Sequence, residues 1–375
     1  MIGMRVGIIG GGIGGLLSGV KILGSVDADL YEEHVLVGYP KHCTGLISDE
    51  VLSHLGCGAK NYVLNAFREY TLIHSSRPNK ELELKFRNTI YLVDRPSLER
   101  YLSDEFQCRG GMLHLGLKVT SIDLSETSLA VKGGLTKKYD VIIIAEGARA
   151  TLTRASGMCG GRTYLVGLQA LIRCRNVLES PYVIFGNDVS KEFFGWVVPV
   201  NERRLIFGLA DRYVSYVRLN HLMKTYLTRM LEVNDLVVEE VFGGLIPTST
   251  PCKQTLKNFV GIGDAVSVVK PLSGGGIYSI SRQVRALEES LKANTPDNVL
   301  KKYRSKSSGM IKTLNVQHML RKYIIRKFHS LSNFIMKLID LEVDEVHILD
   351  YDRYLINPLN LNIKDALKIL STLLI

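Results

Sequence analysis

The chain of 375 residues lacks any apolar run of roughly 18 or more residues, the length a helix needs to cross a bilayer. Its six cysteines, Cys43, Cys57, Cys108, Cys159, Cys174 and Cys252, show none of the short paired spacings of a zinc site or a dense disulfide framework. A reducing, cytoplasmic compartment is the simplest reading of that scatter. There is no HExxH-type histidine pair, so no metal is expected. Tryptophan occurs once. With 46% hydrophobic and 22% charged residues, the composition is that of an ordinary globular protein, long enough for two or three packed units.

Acidic residues are missing from one stretch. Lys301 to Lys337 holds ten Lys or Arg and no Asp or Glu, which leaves 37 basic against 37 acidic residues elsewhere. The net charge of +10 is therefore local and implies a local partner. From Pro296 onward the pattern reads as helical: Ile324, Phe328, Leu331, Ile335 and Leu338 fall on one stripe, with Arg321, Lys322, Arg326 and Lys327 around it. Leu367, Leu370 and Leu374 repeat the spacing. A helical cap with a solvated basic face accounts for this, as does peripheral attachment to an anionic membrane surface, and both can hold. Without a zinc finger or an aromatic ribonucleoprotein motif, no nucleic-acid partner is expected.

The amino-terminal VGIIGGGIGG admits a secretory signal or a nucleotide-binding turn. Seven glycines between Val6 and Val20 argue against a signal helix, since each weakens a helix by roughly 1 kcal/mol. The alternative explains them individually. Arg5–Ile9 reads as a buried strand, and Gly10, Gly12 and Gly15 fill GxGxxG before an apolar helix at Leu16–Leu23. Gly10 would allow the tight turn, Gly12 the approach of a pyrophosphate, and Gly15 close helix–strand packing. A second strand, ADLYEE, ends in Glu32, where an acidic side chain would accept hydrogen bonds from the adenosine ribose.

Three further stretches bear on which dinucleotide binds. Val141–Ala145 reads as a buried strand delivering Glu146 and Gly147 into a turn. Arg95 follows a short strand and precedes a helix at Ser97–Phe106. NFVGIGDAVSVVKPLSGGGIYS has a strand ending at Gly263–Asp264, a loop with Pro271, and a helix from Ile277. Asp264 can accept hydrogen bonds from a polyol such as ribitol. The N–H groups of Gly275, Gly276 and Ile277 can stabilise negative charge at a helix start, a need that a reduced flavin has and nicotinamide lacks.

Together these motifs resemble the p-hydroxybenzoate hydroxylase-like FAD-dependent oxidoreductases, and within them the geranylgeranyl reductases, including the archaeal ether-lipid enzymes. The resemblance covers about Met4 to Leu291. Its closest marker is EEHVLVGYPKHCTGLIS, where Pro40, Cys43 and Gly45 match a Pro-x-x-Cys and following Gly that lie along the flavin, with one residue fewer between the cysteine and the glycine. FFGWVVP, Phe194 to Pro199, is similar to the aromatic-Gly-Trp-x-x-Pro stretch lining the substrate cavity. Val200 stands where those reductases carry a basic residue, and Glu146 where the wider group has aspartate.

The resemblance implies FAD contacts from Gly14, Glu32, Cys43, Thr44, Gly45, Arg95, Val119, Asp264, Gly276 and Ile277, and a substrate wall from Phe194, Gly195, Trp196 and Pro199. Cys43 is a candidate catalytic group as well as a buried small residue. The expected fold is α/β (α+β): a Rossmann-like FAD-binding domain over 1–60, 90–160 and 252–295, an interleaved antiparallel-sheet substrate domain over 61–89 and 161–251, and a helical region over 296–375. The expected function is saturation of C=C bonds in a geranylgeranyl or other isoprenoid chain on a lipid or lipid precursor. A flavin monooxygenase or halogenase acting on an aromatic and an electron-transfer flavoprotein reducing quinone remain alternatives, and so does a flavin-binding lipid carrier without catalysis. No second dinucleotide fold is legible, so the electron donor is left among NADPH, ferredoxin and quinol.

Overall fold

A computed structural model describes residues 4–176, 178–291, 295–340, 345–348 and 351–352. One sheet is six-stranded, in the order Thr255–Leu256, Phe259–Gly261, Val141–Ile144, Arg5–Ile9, Asp27–Tyr31, Met112–His114. All its pairings are parallel except that of the short edge strand Thr255–Leu256. Parallel strands covered on both faces read as unbroken apolar runs. The four residues of VIII, Val141–Ile144, are accordingly all buried. Ile8 and Ile143 pack toward the helices Ile13–Ile22, Arg95–Cys108 and Ile277–Ser290. Their neighbours Ile9, Ile142 and Ile144 pack the other way, with Val119, Leu129 and Val131 of a three-stranded sheet.

Among the described residues the second sheet has nine strands and is built from Leu46–Ser48, Val63–His74, Arg77–Val93, the four strands between Tyr164 and Asp211, Val237–Pro247 and Glu345–Ile348. It is antiparallel except where Tyr182–Gly186 joins Val63–His74 and where Glu345–Ile348 joins Arg77–Val93. The fold is thus the mixed α/β architecture expected, a Rossmann-like sheet beside a large, mostly antiparallel one.

Two features depart from the expectations. The region after Pro296 forms the helices Pro296–Phe328 and Leu331–Asp340, separated at His329 in a left-handed conformation, and then the strand Glu345–Ile348. In that strand Val346 and Ile348 are buried and His347 is exposed, a two-residue alternation too short to be read without its partner strand. The stripe Ile324, Phe328 and Leu331 packs against Phe86, Phe185 and Phe334 inside the protein, with Ile335 beside it. It does not face outward. The side chain of Leu338, and Leu367, Leu370 and Leu374, lie outside the described residues.

The cysteines hold the second departure. Cys159 and Cys252, 93 positions apart in sequence, form a disulfide, which contradicts the reading of scattered reduced thiols. Cys159 precedes the strand Tyr164–Arg173 and Cys252 follows Val237–Pro247, and the pairing of Tyr164 with Pro247 brings the two together where no local spacing announces the pair. The bridge lies under the turn Gly263–Val266, since the Cys252 N–H donates to the Val266 carbonyl at 2.9 Å and the Cys159 Sγ lies 3.6 Å from the Ala265 carbonyl oxygen.

Candidate functional site

A continuous cavity of about 1220 Å³ runs from the glycine-rich turn of the parallel sheet to the inner face of the large sheet. At one end is the turn after Arg5–Ile9. Gly10 has φ of +102°, and a Cβ there would lie 2.4 Å from the Ala145 carbonyl oxygen. A Cβ on Gly15 would lie 1.9 Å from the Gly10 carbonyl oxygen, so this glycine sets the helix–strand contact and not the cavity wall. Gly12 is the helix N-cap and faces open space within the cavity, with Gly14 also on its wall. That combination leaves unobstructed room for a phosphate group beside free helix N–H groups.

Glu32 is buried at the end of its strand. Its Oε2 accepts the Gly11 N–H at 2.6 Å, while its Oε1 accepts the His34 N–H at 2.8 Å and lies 2.6 Å from the His34 ring Nδ1, so Oε2 is the oxygen with accepting capacity to spare. Val119 and Gly147 complete this end. Glu146, the departure from aspartate, is occupied structurally: its two carboxylate oxygens accept the N–H groups of Leu152 and Thr153 at 2.9 and 2.7 Å and cap the helix Thr151–Ala155.

The middle of the cavity collects the segments that are far apart in sequence. Cys43, Thr44, Gly45 and Arg95 come from one side, and Asp264, Gly275, Gly276 and Ile277 from the other. Gly276 caps the helix Ile277–Ser290, and a Cβ on it would lie 3.1 Å from Asp264 Oδ1. Burial pushes the Asp264 carboxyl above its ordinary range, against the pull of Arg162, Arg95 and His42. Burial opposes the charge on Arg95, but Glu99 and the Cys43 sulfur beside it raise its pKa overall. The Arg95 Nε is buried without a hydrogen-bond partner among the described residues. An unsatisfied guanidinium N–H, a buried carboxyl and a helix N-terminus facing one space make a ready cradle for a polar, partly anionic ring system. The residues present fit a flavin.

The far end is apolar. On the strand Ser190–Asn201, Phe194, Trp196 and Val198 face the cavity. The same alternation sends Gly195, Val197 and Pro199 to the opposite side, where Val197 joins the core under the helix Tyr216–Met223 and the Pro199 carbonyl accepts from Asn65 Nδ2 at 3.2 Å. Gly195 and Pro199 therefore do not line the cavity, although Phe193, on their side of the pleat, reaches its edge. Helical residues Leu320, Ile324 and Phe334, and Val346, Ile348 and Tyr351 beyond them, close the chamber.

Gln169 belongs to the site and was not singled out in the sequence. Its Oε1 accepts from Thr44 Oγ1 at 2.5 Å and Trp196 Nε1 at 3.2 Å, while its Nε2 donates to the His42 carbonyl at 3.2 Å. A lone polar residue at an inward position of YLVGLQALIR was the available signal. Lys270 was also missed. Buried behind Gly275, it pairs with Asp352 at 2.7 Å. Among the described residues no group of His, Cys, Asp or Glu is placed to hold a metal.

No protein-family model matches the chain. Among curated proteins, it is 26% identical to digeranylgeranylglycerophospholipid reductase 2 of Methanothermobacter thermautotrophicus, over 66% of this chain and 67% of that protein. It is 24% identical to digeranylgeranylglycerophospholipid reductase of Methanosphaerula palustris, over 85% and 86%. Among solved structures, a geranylgeranyl bacteriochlorophyll reductase-like protein from Thermoplasma acidophilum superposes with a TM-score of 0.79 at 16% identity, covering 98% of this chain and 96% of that one. The flavin-dependent halogenase CmlS gives 0.67 at 19% identity, over 87% and 64%. In sequence the chain resembles the geranylgeranyl reductases, and its fold is that of the p-hydroxybenzoate hydroxylase-like FAD-dependent oxidoreductases.

Proposed function

We propose that the protein is an FAD-dependent reductase that saturates carbon–carbon double bonds of a geranylgeranyl or similar isoprenoid chain carried on a lipid or lipid precursor. The observation that carries this reading is the continuity of one cavity from a dinucleotide cradle to an apolar chamber walled by Phe194, Trp196, Ile324 and Phe334. An aromatic monooxygenase substrate is small and needs polar anchors, whereas this chamber suits a long hydrocarbon.

Gly12 and the helix start behind it would take the pyrophosphate, Glu32 the ribose hydroxyls, and Asp264 the ribityl chain. The N–H groups of Gly275, Gly276 and Ile277 would face the pyrimidine edge of the ring. When bound, FAD supplies the electron pair and one hydrogen for the alkene. The other alkene carbon must receive a proton, and Cys43, held beside Arg95 on the cavity wall, would be its donor. Trp196 and Phe194 would hold the chain flat against the ring, and burial of the chamber excludes water from the reacting carbons. NADPH, ferredoxin and quinol are the donor classes to be tried.

The test is product analysis. Protein reduced with dithionite without oxygen and given a geranylgeranylated glycerolipid should yield a product heavier by one H₂ for each bond saturated. Oxygen-dependent consumption of NADPH stimulated by a small phenol, or quinone reduction with no saturated product, would replace this reading with a monooxygenase or an electron-transfer protein.

A further inference from the structure

The basic segment now has a defined geometry. The helix Pro296–Phe328 turns Leu314, Ile324 and Phe328 inward, together with Arg321, whose guanidinium donates to the Glu192 carbonyl at 3.0 Å. The opposite face carries a different apolar set. Val316, Met319 and Tyr323, at i, i+3 and i+7, are 64%, 71% and 46% exposed. Lys312, Lys322 and Arg326 flank them, also exposed. An apolar ridge bordered by cations, with no Asp or Glu from residue 301 to 337, is the pattern of a helix lying in the plane of an anionic lipid surface.

The position of this ridge matters. Val316 and its neighbour Leu320 also form part of the cavity wall, so the outward ridge stands at a mouth of the apolar chamber. The Glu192 that holds Arg321 also pairs with Arg212, which brings the turn bearing the exposed Tyr213 alongside.

We infer that the outer face of Pro296–Phe328 docks the protein on an anionic lipid bilayer, with Val316, Met319 and Tyr323 inserted at the headgroup level and Lys312, Lys322 and Arg326 over anionic headgroups. The chamber mouth then opens against the bilayer, and an isoprenoid chain passes from lipid to cavity without crossing water. Charge selects the occupant: a flat anionic surface satisfies at once three cations spread along about four helical turns. The inference deepens the prenyl-reductase reading and rests on it for the identity of what enters the mouth.

The test is co-sedimentation of the full chain with vesicles of phosphatidylcholine containing phosphatidylglycerol, compared with phosphatidylcholine alone. No turnover is involved, so this docking and the proposed reaction can fail separately. The native protein should bind the anionic vesicles and release at high salt. Each cation at such a surface is worth about fivefold in partitioning, so Lys312→Gln/Lys322→Gln/Arg326→Gln should weaken binding on the order of a hundredfold. Met319→Gln/Tyr323→Gln should weaken it at low salt as well, with an unchanged circular dichroism spectrum showing the fold intact. Equal binding to neutral vesicles, no binding to either, or binding indifferent to both variants would overturn the inference. A native dimer that Met319→Gln dissociates would also overturn it, by assigning this face to a second copy of the chain.

Discussion

Trp196 donates its indole N–H to the side-chain carbonyl of Gln169 at 3.2 Å, and the same oxygen accepts the Thr44 hydroxyl. One amide therefore ties the aromatic wall of the chamber to the segment that carries Cys43. Gln169→Leu leaves both donors without their acceptor and should cost about 1–3 kcal/mol of stability. Because the chain has a single tryptophan, its fluorescence reports the surroundings of Trp196 alone. The variant should show a broadened, red-shifted emission, and Gln169→Glu, which keeps an acceptor, should restore much of the native spectrum. An unchanged spectrum in Gln169→Leu would remove Gln169 from the site.

The two glycines of the turn should behave oppositely. A methyl at Gly15 meets the Gly10 carbonyl oxygen at 1.9 Å, so Gly15→Ala should unfold the parallel-sheet domain or destabilise it severely. A methyl at Gly12 meets nothing, so Gly12→Ala should melt within a few degrees of native. It should nonetheless lose affinity for FAD, by tenfold or more in a titration followed at the flavin absorption band, because the methyl occupies the approach of the pyrophosphate. Equal flavin affinity in native and Gly12→Ala protein would contradict the assignment.

Lys270 and Asp352 form an ion pair with both side chains almost wholly buried, joining the glycine loop to the last described residues of the chain. Removing one partner of such a pair takes from the other its buried counter-charge, at a cost of about 3–5 kcal/mol. Asp352→Asn and Lys270→Met should each lower the midpoint of denaturant unfolding markedly. Lys270→Met/Asp352→Leu should recover most of the loss, since neither leftover charge remains. A double variant as unstable as the sum of the singles would contradict this.

Two histidines set an acid limit. His54, which shares a hydrogen bond with Ser281, is pushed down to about 3 by burial and by the charges of Lys21 and Arg285. His318 is pushed down to about 4 by burial and by Arg321 and Lys322. Both stay neutral in the folded protein where the unfolded chain takes up protons, so stability is lost as pH falls below about 6.5. The loss approaches about 1.4 kcal/mol per pH unit for each histidine, down to the folded pKa values. Urea unfolding between pH 7 and 4 measures it, and His54→Gln should flatten the slope.

Much of this was legible where the signal is local. The turn after Ile9 could be read because three glycines at fixed spacing, a strand before them and Glu32 after them each have a separate physical cause. The loop from Asp264 to Ile277 could be read for the same reason. What escaped reading depends on partners distant in sequence. The strand Glu345–Ile348 exists because Arg77–Val93 offers it an edge. The bridge between Cys159 and Cys252 exists because the sheets bring them to 5.1 Å between Cα atoms. Gly195 and Pro199 were grouped with Phe194 and Trp196 as a motif, and strand alternation separates them. The stripe from Ile324 to Ile335 was read correctly as apolar, but only the packed helix shows that it faces the chamber and leaves Met319 outside.

The central claim, that a flavin held at Asp264 and Gly276 faces a chamber built for an isoprenoid chain, is tested most directly by anaerobic reoxidation. Protein whose bound flavin has been bleached by dithionite is mixed with a geranylgeranylated lipid or with its fully saturated counterpart, and the return of the oxidised flavin band is followed. The account predicts return with the unsaturated lipid alone, slowed in Trp196→Ala. A band that stays bleached with every prenyl lipid, and returns only with oxygen, would contradict it.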